Sequence, residues 1–191
     1  RAGEPVLLLD ESLLLEGHPD LVPPGCSRAG EQGAPSGPPS ACLQLSLEDP
    51  PPASPLPAER TALLRPRLLV VGMGCNKGTP EEEVAAVVRD TLREQRLAFA
   101  SVRNLATVEM KKDEPGLLAF CRAHGFELAV YTREEANSVP IPSPSEVVFK
   151  HTGVWGVAEP AALLSARGGR LILEKQKRGN CTIALAVAPL A

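Results

Sequence analysis

The segment Val70-Val71-Gly72-Met73-Gly74-Cys75-Asn76-Lys77-Gly78-Thr79-Pro80-Glu81-Glu82-Glu83 constrains the fold of this chain more than any other stretch. An apolar run reaches two glycines and passes almost at once into a helix start, which spells strand, tight turn and helix at the carboxyl edge of a sheet. Such a junction aims backbone N–H groups outward, so it is also the first place to look for a ligand.

From position 67 onward, apolar runs alternate with helical segments. That alternation predicts an α/β fold of three α/β/α layers on a mostly parallel sheet of five to six strands, with at least one edge strand antiparallel. Positions 67–71 read as a buried first strand. Thr79 reads as an N-cap with Pro80 in the first helical position and Glu81, Glu82 and Glu83 matched to the positive helix end. Val84, Val87, Val88 and Leu92 share one helical face, which carries the helix to about Gln95. A second strand is expected at 97–102, and a second helix capped by Asp113, starting near Pro115 and ending at His124-Gly125. A third strand is expected at 126–131, followed by Thr132-Arg133-Glu134-Glu135, a capping-box spelling. Pro140, Pro142 and Pro144 enforce an extended loop. A strand at 146–149, an alanine-rich helix over 157–166 and two final strands at 170–174 and 182–188 complete the pattern.

Composition separates this part from what precedes it. Of 20 prolines, 13 fall in residues 1–66, and positions 23–57 read as proline, glycine, serine and acid. Residues 1–66 are therefore expected to be a largely irregular linker, with a lone strand candidate at 5–10, and residues 67–191 the α/β domain. Charge divides at the same place, with 4 basic and 9 acidic side chains before position 67 against 16 and 14 after it. Neither part has the single-sign field of a nucleic-acid or membrane-surface binder. Cys26, Cys42, Cys75, Cys121 and Cys181 are odd in number and widely spaced, so a reducing cytoplasm is the simplest home. No run reaches the roughly 18 apolar residues of a membrane span. The first residue is Arg1 rather than Met, as in a fragment or a processed chain.

Three constellations carry candidate chemistry. Gly72-x-Gly74-x-x-x-Gly78-Thr79 approximates a phosphate loop, but Lys77 precedes the last glycine where a Walker loop wants its lysine after it. Gly72, Gly74, Cys75, Lys77, Gly78 and Thr79 are candidate binding residues. Glu81, Glu82 and Glu83 would repel a dianion, so a carboxylate ligand ranks above a nucleotide, and a purely structural turn stays open. The segment 105–117 is dense in charge, and its Lys111 and Glu114 pair a cation with a carboxylate. If the sheet is parallel, this loop opens on the same edge as the glycine loop. The third constellation joins Ser145 to Gly153, Trp155 and Glu159. Glu159 is accounted for either by the dipole of its helix or by a functional role. His124 and His151 lack a partner at ligand spacing, so no metal site is expected. Ser145 lacks a Gly-x-Ser-x-Gly setting, which leaves a serine hydrolase unsupported.

In this order, the glycine loop, the Ala106-Thr107 to Asp113-Glu114 loop, Pro144-Ser145 with 153–163, and Lys175 to Ala186 with its Cys181-Thr182-Ile183-Ala184 resemble one known domain. It is the carboxyl-terminal domain shared by the CbiG and CobE proteins of cobalamin biosynthesis. The resemblance covers about 66–189, and residues 1–66 are similar to the variable middle region of CbiG. It implies a cobalt-precorrin-5A hydrolase, which opens a δ-lactone and releases acetaldehyde. It further implies a corrinoid macrocycle rimmed with acetate and propionate groups as ligand, held by backbone N–H groups, Lys77, Lys111 and Lys175. Glu114 or Glu159 would be the general base. No cofactor is implied, because cobalt arrives inside the macrocycle. Other cobalamin-pathway enzymes are implied as partners, and a homodimer is common for such sheets. The alternative within the resemblance is a CobE-like module that binds or carries corrinoid intermediates without chemistry.

Overall fold

The computed structural model describes residues 6–10, 26–28 and 39–190. They fall into two compact units, one formed by the residues up to Pro66 with 96–100 and Leu190, the other by 67–95 and 101–189.

In the smaller unit, β1 (Val6–Asp10), β2 (Cys26–Arg28), β3 (Ala41–Leu45) and β4 (Thr61–Leu64) form a parallel sheet in the order β2-β1-β3-β4. Proline spacing pointed to an irregular segment with one strand at 5–10. The described residues instead place that strand among three others. Two of its leucine positions explain the order: Leu8 and Leu45 are buried together, with Leu43, Cys26 and Leu190 packed against them. Pro50, Pro51, Pro52, Pro55 and Pro57 punctuate the connection from β3 to β4, and Ser54 and Thr61 join hydroxyls at 2.7 Å to close the turn before β4.

The larger unit is a five-stranded mixed sheet in the order β7-β6-β5-β9-β8. Its central strand is β5 (Leu69–Cys75), buried at all seven positions. The helix α1 (Glu81–Glu94) leads to β6 (Val102–Val108), and α2 (Pro115–His124) to β7 (Leu128–Tyr131). Both crossovers step the same way across parallel strands, so right-handed connections put α1 and α2 on one face. The chain then forms α3 (Arg133–Ser138), α4 (Glu146–Thr152) and α5 (Ala158–Ala166). It ends in β8 (Arg170–Arg178) and β9 (Cys181–Val187), with β9 antiparallel to both β5 and β8. The antiparallel strand is thus inside the sheet, and edge strand β8 is antiparallel to its only neighbour. The packing of α5 against β5, β9 and β6 makes the third layer.

Gly72 sets the distance between α5 and the sheet. A Cβ there would lie 1.9 Å from the Ala158 carbonyl oxygen and 2.8 Å from the Ala162 Cβ, so only glycine admits this approach.

Local expectations fared unevenly. Thr132 and Glu135 form the full capping box. Thr79 is not the N-cap of α1: Pro80 is, and the Thr79 hydroxyl donates to the Asn76 carbonyl at 2.9 Å. Glu114 rather than Asp113 precedes α2, with Pro115 in its first turn. The strand expected at 97–102 begins only at Val102, after a 3-10 turn at Phe99–Ser101. The strand expected at 146–149 is helix α4. Its β-branched valines are overruled by the Ser145 hydroxyl, which accepts the Val148 N–H at 3.3 Å, and by left-handed Gly153 closing the last turn. Among the described residues no helix is long and apolar enough to cross a membrane.

Candidate functional site

A crevice of about 300 Å³ opens at the carboxyl end of β5. Gly74, Cys75, Asn76 and Lys77 enter it from β5 and the turn after it, and Lys111 from the connection that leads to α2. Val148 and Thr152 of α4 face it together with Gly156 and Val157, and Lys175, Lys177, Asn180 and Thr182 close it from β8 and β9. The glycine turn and the lysine-rich segment therefore share one cavity, as a common strand edge requires.

Three N–H groups of the turn are consumed by the protein itself. The Asn76 N–H donates to the Asn180 carbonyl at 2.8 Å and the Thr79 N–H to the Asn76 carbonyl at 3.3 Å. The Gly78 N–H donates to Glu114 Oε2 at 3.0 Å. An anion does sit at the glycine turn, but it is the chain's own carboxylate. Attraction for an external anion passes to the lysines.

Those lysines form two classes. Lys111 Nζ donates to Glu114 Oε1 at 3.0 Å, and Lys175 Nζ to the Ser143 carbonyl at 2.6 Å. Lys77 and Lys177 are exposed and have no hydrogen-bonded partner among the described residues. Four ammonium groups thus line the cavity, and one of them is already partnered by the Glu114 carboxylate.

The candidate carboxylates differ. Burial pushes the Glu114 carboxyl up, but the Gly78 N–H, Lys111 and the nearby Lys77 together outweigh it and hold it below the ordinary range. Glu114 is therefore a fixed anion that orients Lys111. Glu159 is 1% exposed; its Oε1 accepts the Lys175 N–H at 3.0 Å, while Oε2 is buried with no hydrogen-bond partner. The β8 ladder shifts register between Leu173 and Gln176, which frees the Lys175 N–H for Glu159.

The remaining predicted residues are dispersed. Burial, then the Glu114 charge, push the Cys75 thiol up, so it packs as a neutral group. Gly72 lies under α5, away from the cavity. Ser145 and Gly153 act as the two caps of α4. Thr79 is buried beneath the turn.

Sequence reasoning missed Asn76, Asn180 and Lys177. Glu83 was read as repelling a ligand, but its carboxylate accepts the Asn180 N–H at 2.8 Å and the Asn180 Nδ2 at 3.1 Å, which holds it below the ordinary range. Asn180 Oδ1 in turn accepts Asn76 Nδ2 at 2.9 Å. The signal was the pair Gly179-Asn180, a two-residue turn spelling between the strands expected at 170–174 and 182–188. Among the described residues no group of three histidine, cysteine or acidic side chains gathers as a metal site.

Residues 69–186 match the family described as cobalamin synthesis G C-terminus. The chain is 46% identical over 131 residues to a cobalt-precorrin-5A hydrolase of Priestia megaterium, covering 69% of this chain and 35% of that protein. It is 38% identical over 121 residues to protein CobE of a Sinorhizobium species, covering 62% of this chain and 79% of the relative. A crystal structure of CobE, a protein from the cobalamin biosynthetic pathway, superposes with a TM-score of 0.59 at 33% identity, covering 63% of this chain and 89% of that one. The chain thus spans about a third of the hydrolase relative's length.

Proposed function

Because this chain belongs to the family of the cobalamin synthesis G carboxyl terminus, we propose that its crevice holds the carboxylate rim of cobalt-precorrin-5A as part of a hydrolase acting on it. The observation that carries this reading is the gathering of Lys77, Lys111, Lys175 and Lys177 around one cavity. A macrocycle edged with acetate and propionate groups presents several carboxylates at fixed spacing, which is what separated ammonium groups on a rigid sheet edge complement. Cobalt enters as part of the substrate.

The free ammoniums of Lys77 and Lys177 bind ring carboxylates directly. Lys111, oriented by Glu114, supplies positive charge where the lactone carbonyl oxygen becomes negative. Glu159 stands behind the crevice lining, which it touches through the Lys175 N–H, and takes the proton of the attacking water with its buried, uncommitted oxygen. Water adds to the lactone carbonyl and the acyl C–O bond breaks, leaving a carboxylate and an alcohol. Deprotonation of that alcohol breaks the adjacent C–C bond: the two-carbon fragment departs as acetaldehyde, and the bonding pair stays on the conjugated macrocycle, which takes up a proton.

Incubating this chain with cobalt-precorrin-5A and measuring acetaldehyde tests the proposal. Wild type is expected to bind and release acetaldehyde. Glu159→Gln should bind equally but turn over about 10²-fold or more slower, the usual scale for a lost general base. Lys77→Ala and Lys177→Ala should each weaken binding about tenfold. Binding without acetaldehyde release would make the chain a carrier module, and no binding at all would overturn the reading.

A further inference from the structure

A second hollow of about 540 Å³ lies beside the lysine crevice, with Ile141, Pro144 and Trp155 in its wall. The two cavities meet along one short segment, since Trp155 faces the hollow while Gly156 and Val157 face the crevice. Trp155 is 41% exposed, a costly position for the only tryptophan of the chain. It stacks on Phe149, itself 39% exposed, with ring centroids 4.3 Å apart and planes 21° from parallel.

The shelf is held in place. The Trp155 N–H donates to Asn137 Oδ1 at 3.2 Å, and its carbonyl accepts the Ser145 N–H at 2.9 Å. Asn137 Nδ2 also donates to the Gly153 carbonyl at 2.8 Å. A flat apolar surface is thus fixed by polar contacts of its own backbone while the stacked pair stays part exposed, which is the arrangement of a preorganised stacking platform.

Resting on the corrinoid reading above, we propose that the Trp155–Phe149 stack is the docking shelf for the flat apolar face of the macrocycle whose acidic edge enters the lysine crevice. The direct sequence neighbourhood of Trp155 with Gly156 and Val157 of the crevice, and complementarity of charge, support this occupant. A ligand with carboxylates only on its edge needs cations at one end of its site and an apolar plane at the other, and here they adjoin. The lysines then fix the edge and Trp155 fixes the tilt of the ring.

The lone tryptophan makes the test direct. The probes are cobyrinic acid, a corrinoid with free carboxylates, and butanetetracarboxylate, a flexible acid without a ring. Cobyrinic acid should quench Trp155 emission saturably, and butanetetracarboxylate should not. Followed by corrinoid absorbance, Trp155→Ala should bind cobyrinic acid about tenfold more weakly, and Trp155→Phe should keep most of the affinity. Unchanged affinity in Trp155→Ala, or quenching by both acids alike, overturns the shelf while the crevice reading survives. Affinity unchanged but self-association lost in Trp155→Ala would assign the shelf to a second copy of the chain and likewise overturn the proposal. If cobyrinic acid fails to bind wild type at any concentration tested, the crevice reading falls and the shelf with it.

Discussion

The two rims of the crevice are built on opposite principles. On the sheet rim nearly every polar group is answered: Glu83 holds Asn180, Asn180 holds Asn76, and Glu114 joins the Gly78 N–H to Lys111. On the helical rim, α4 and the segment after it leave Val147 67% exposed together with Phe149 and Trp155. Hydrogen bonds spent internally give a rim that keeps its shape and offers little to a ligand except charge. Apolar faces left open give a rim that contributes little to folding and has much to offer a partner. Holding and contacting are thus assigned to different elements, since Val147, Phe149 and Trp155 stand outside the lining of the crevice.

Substitutions should separate the rims by what they disturb. The largest effect is expected beneath the sheet rim, where Gly72→Ala forces a Cβ onto the Ala158 carbonyl and should cost on the order of 3 kcal/mol in urea unfolding. A midpoint equal to wild type would mean that α5 moves aside freely and that the rim is less rigid than argued. Next, Asn180→Ala removes the link between Glu83 and Asn76 and should cost about 1 kcal/mol, with the loss visible as faster amide exchange in the Gly179-Asn180 turn.

A smaller effect belongs to pH. The Glu114 carboxyl is held below its ordinary value of 4.5 in the fold, so it stabilises the protein above that pH, and the contribution fades as pH falls through the lower folded value. Melting temperatures of wild type and Glu114→Gln should therefore converge as pH falls from 5 into strong acid. Parallel curves over that range would show that the Gly78 and Lys111 contacts do not favour the charged form. The smallest effect should come from the helical rim: Val147→Ser ought to leave stability within about 0.5 kcal/mol. A larger loss in thermal unfolding would show that α4 is part of the folding core after all.

What was legible in the sequence tracks how local each cause is. The strand-glycine-helix junction, the Thr132 capping box and Gly125 at the end of α2 announce themselves within four or five residues, and the alternation of periods exposes the mixed sheet. The helix at 146–152 was misread because Val147, Val148 and Phe149 favour a strand, and the cap that overrules them sits on Ser145, which was being weighed as a binding residue. Strands in residues 6–64 were hidden because parallel pairing joins segments far apart in sequence, with prolines and glycines between them. The lysine cluster was half legible: Lys77, Lys111 and Lys175 sit near motifs, whereas Lys177 reaches the cavity only because β8 extends to Arg178. The role of Glu83 was not legible at all, since its partner lies 97 positions later in the chain.

Gly74 contributes bare main chain to the base of the cavity, and Gly72 below it lets α5 come close enough to support that base. A base of this kind presents peptide groups whose shape no point substitution in the surrounding walls rewrites. Redesign for another acidic ring would accordingly keep 72 and 74 untouched and randomise Thr152 and Lys177, which alter the width and charge of the cavity, while Val148 and Val157 stay because they also pack on Val108, Ala136 and Val154.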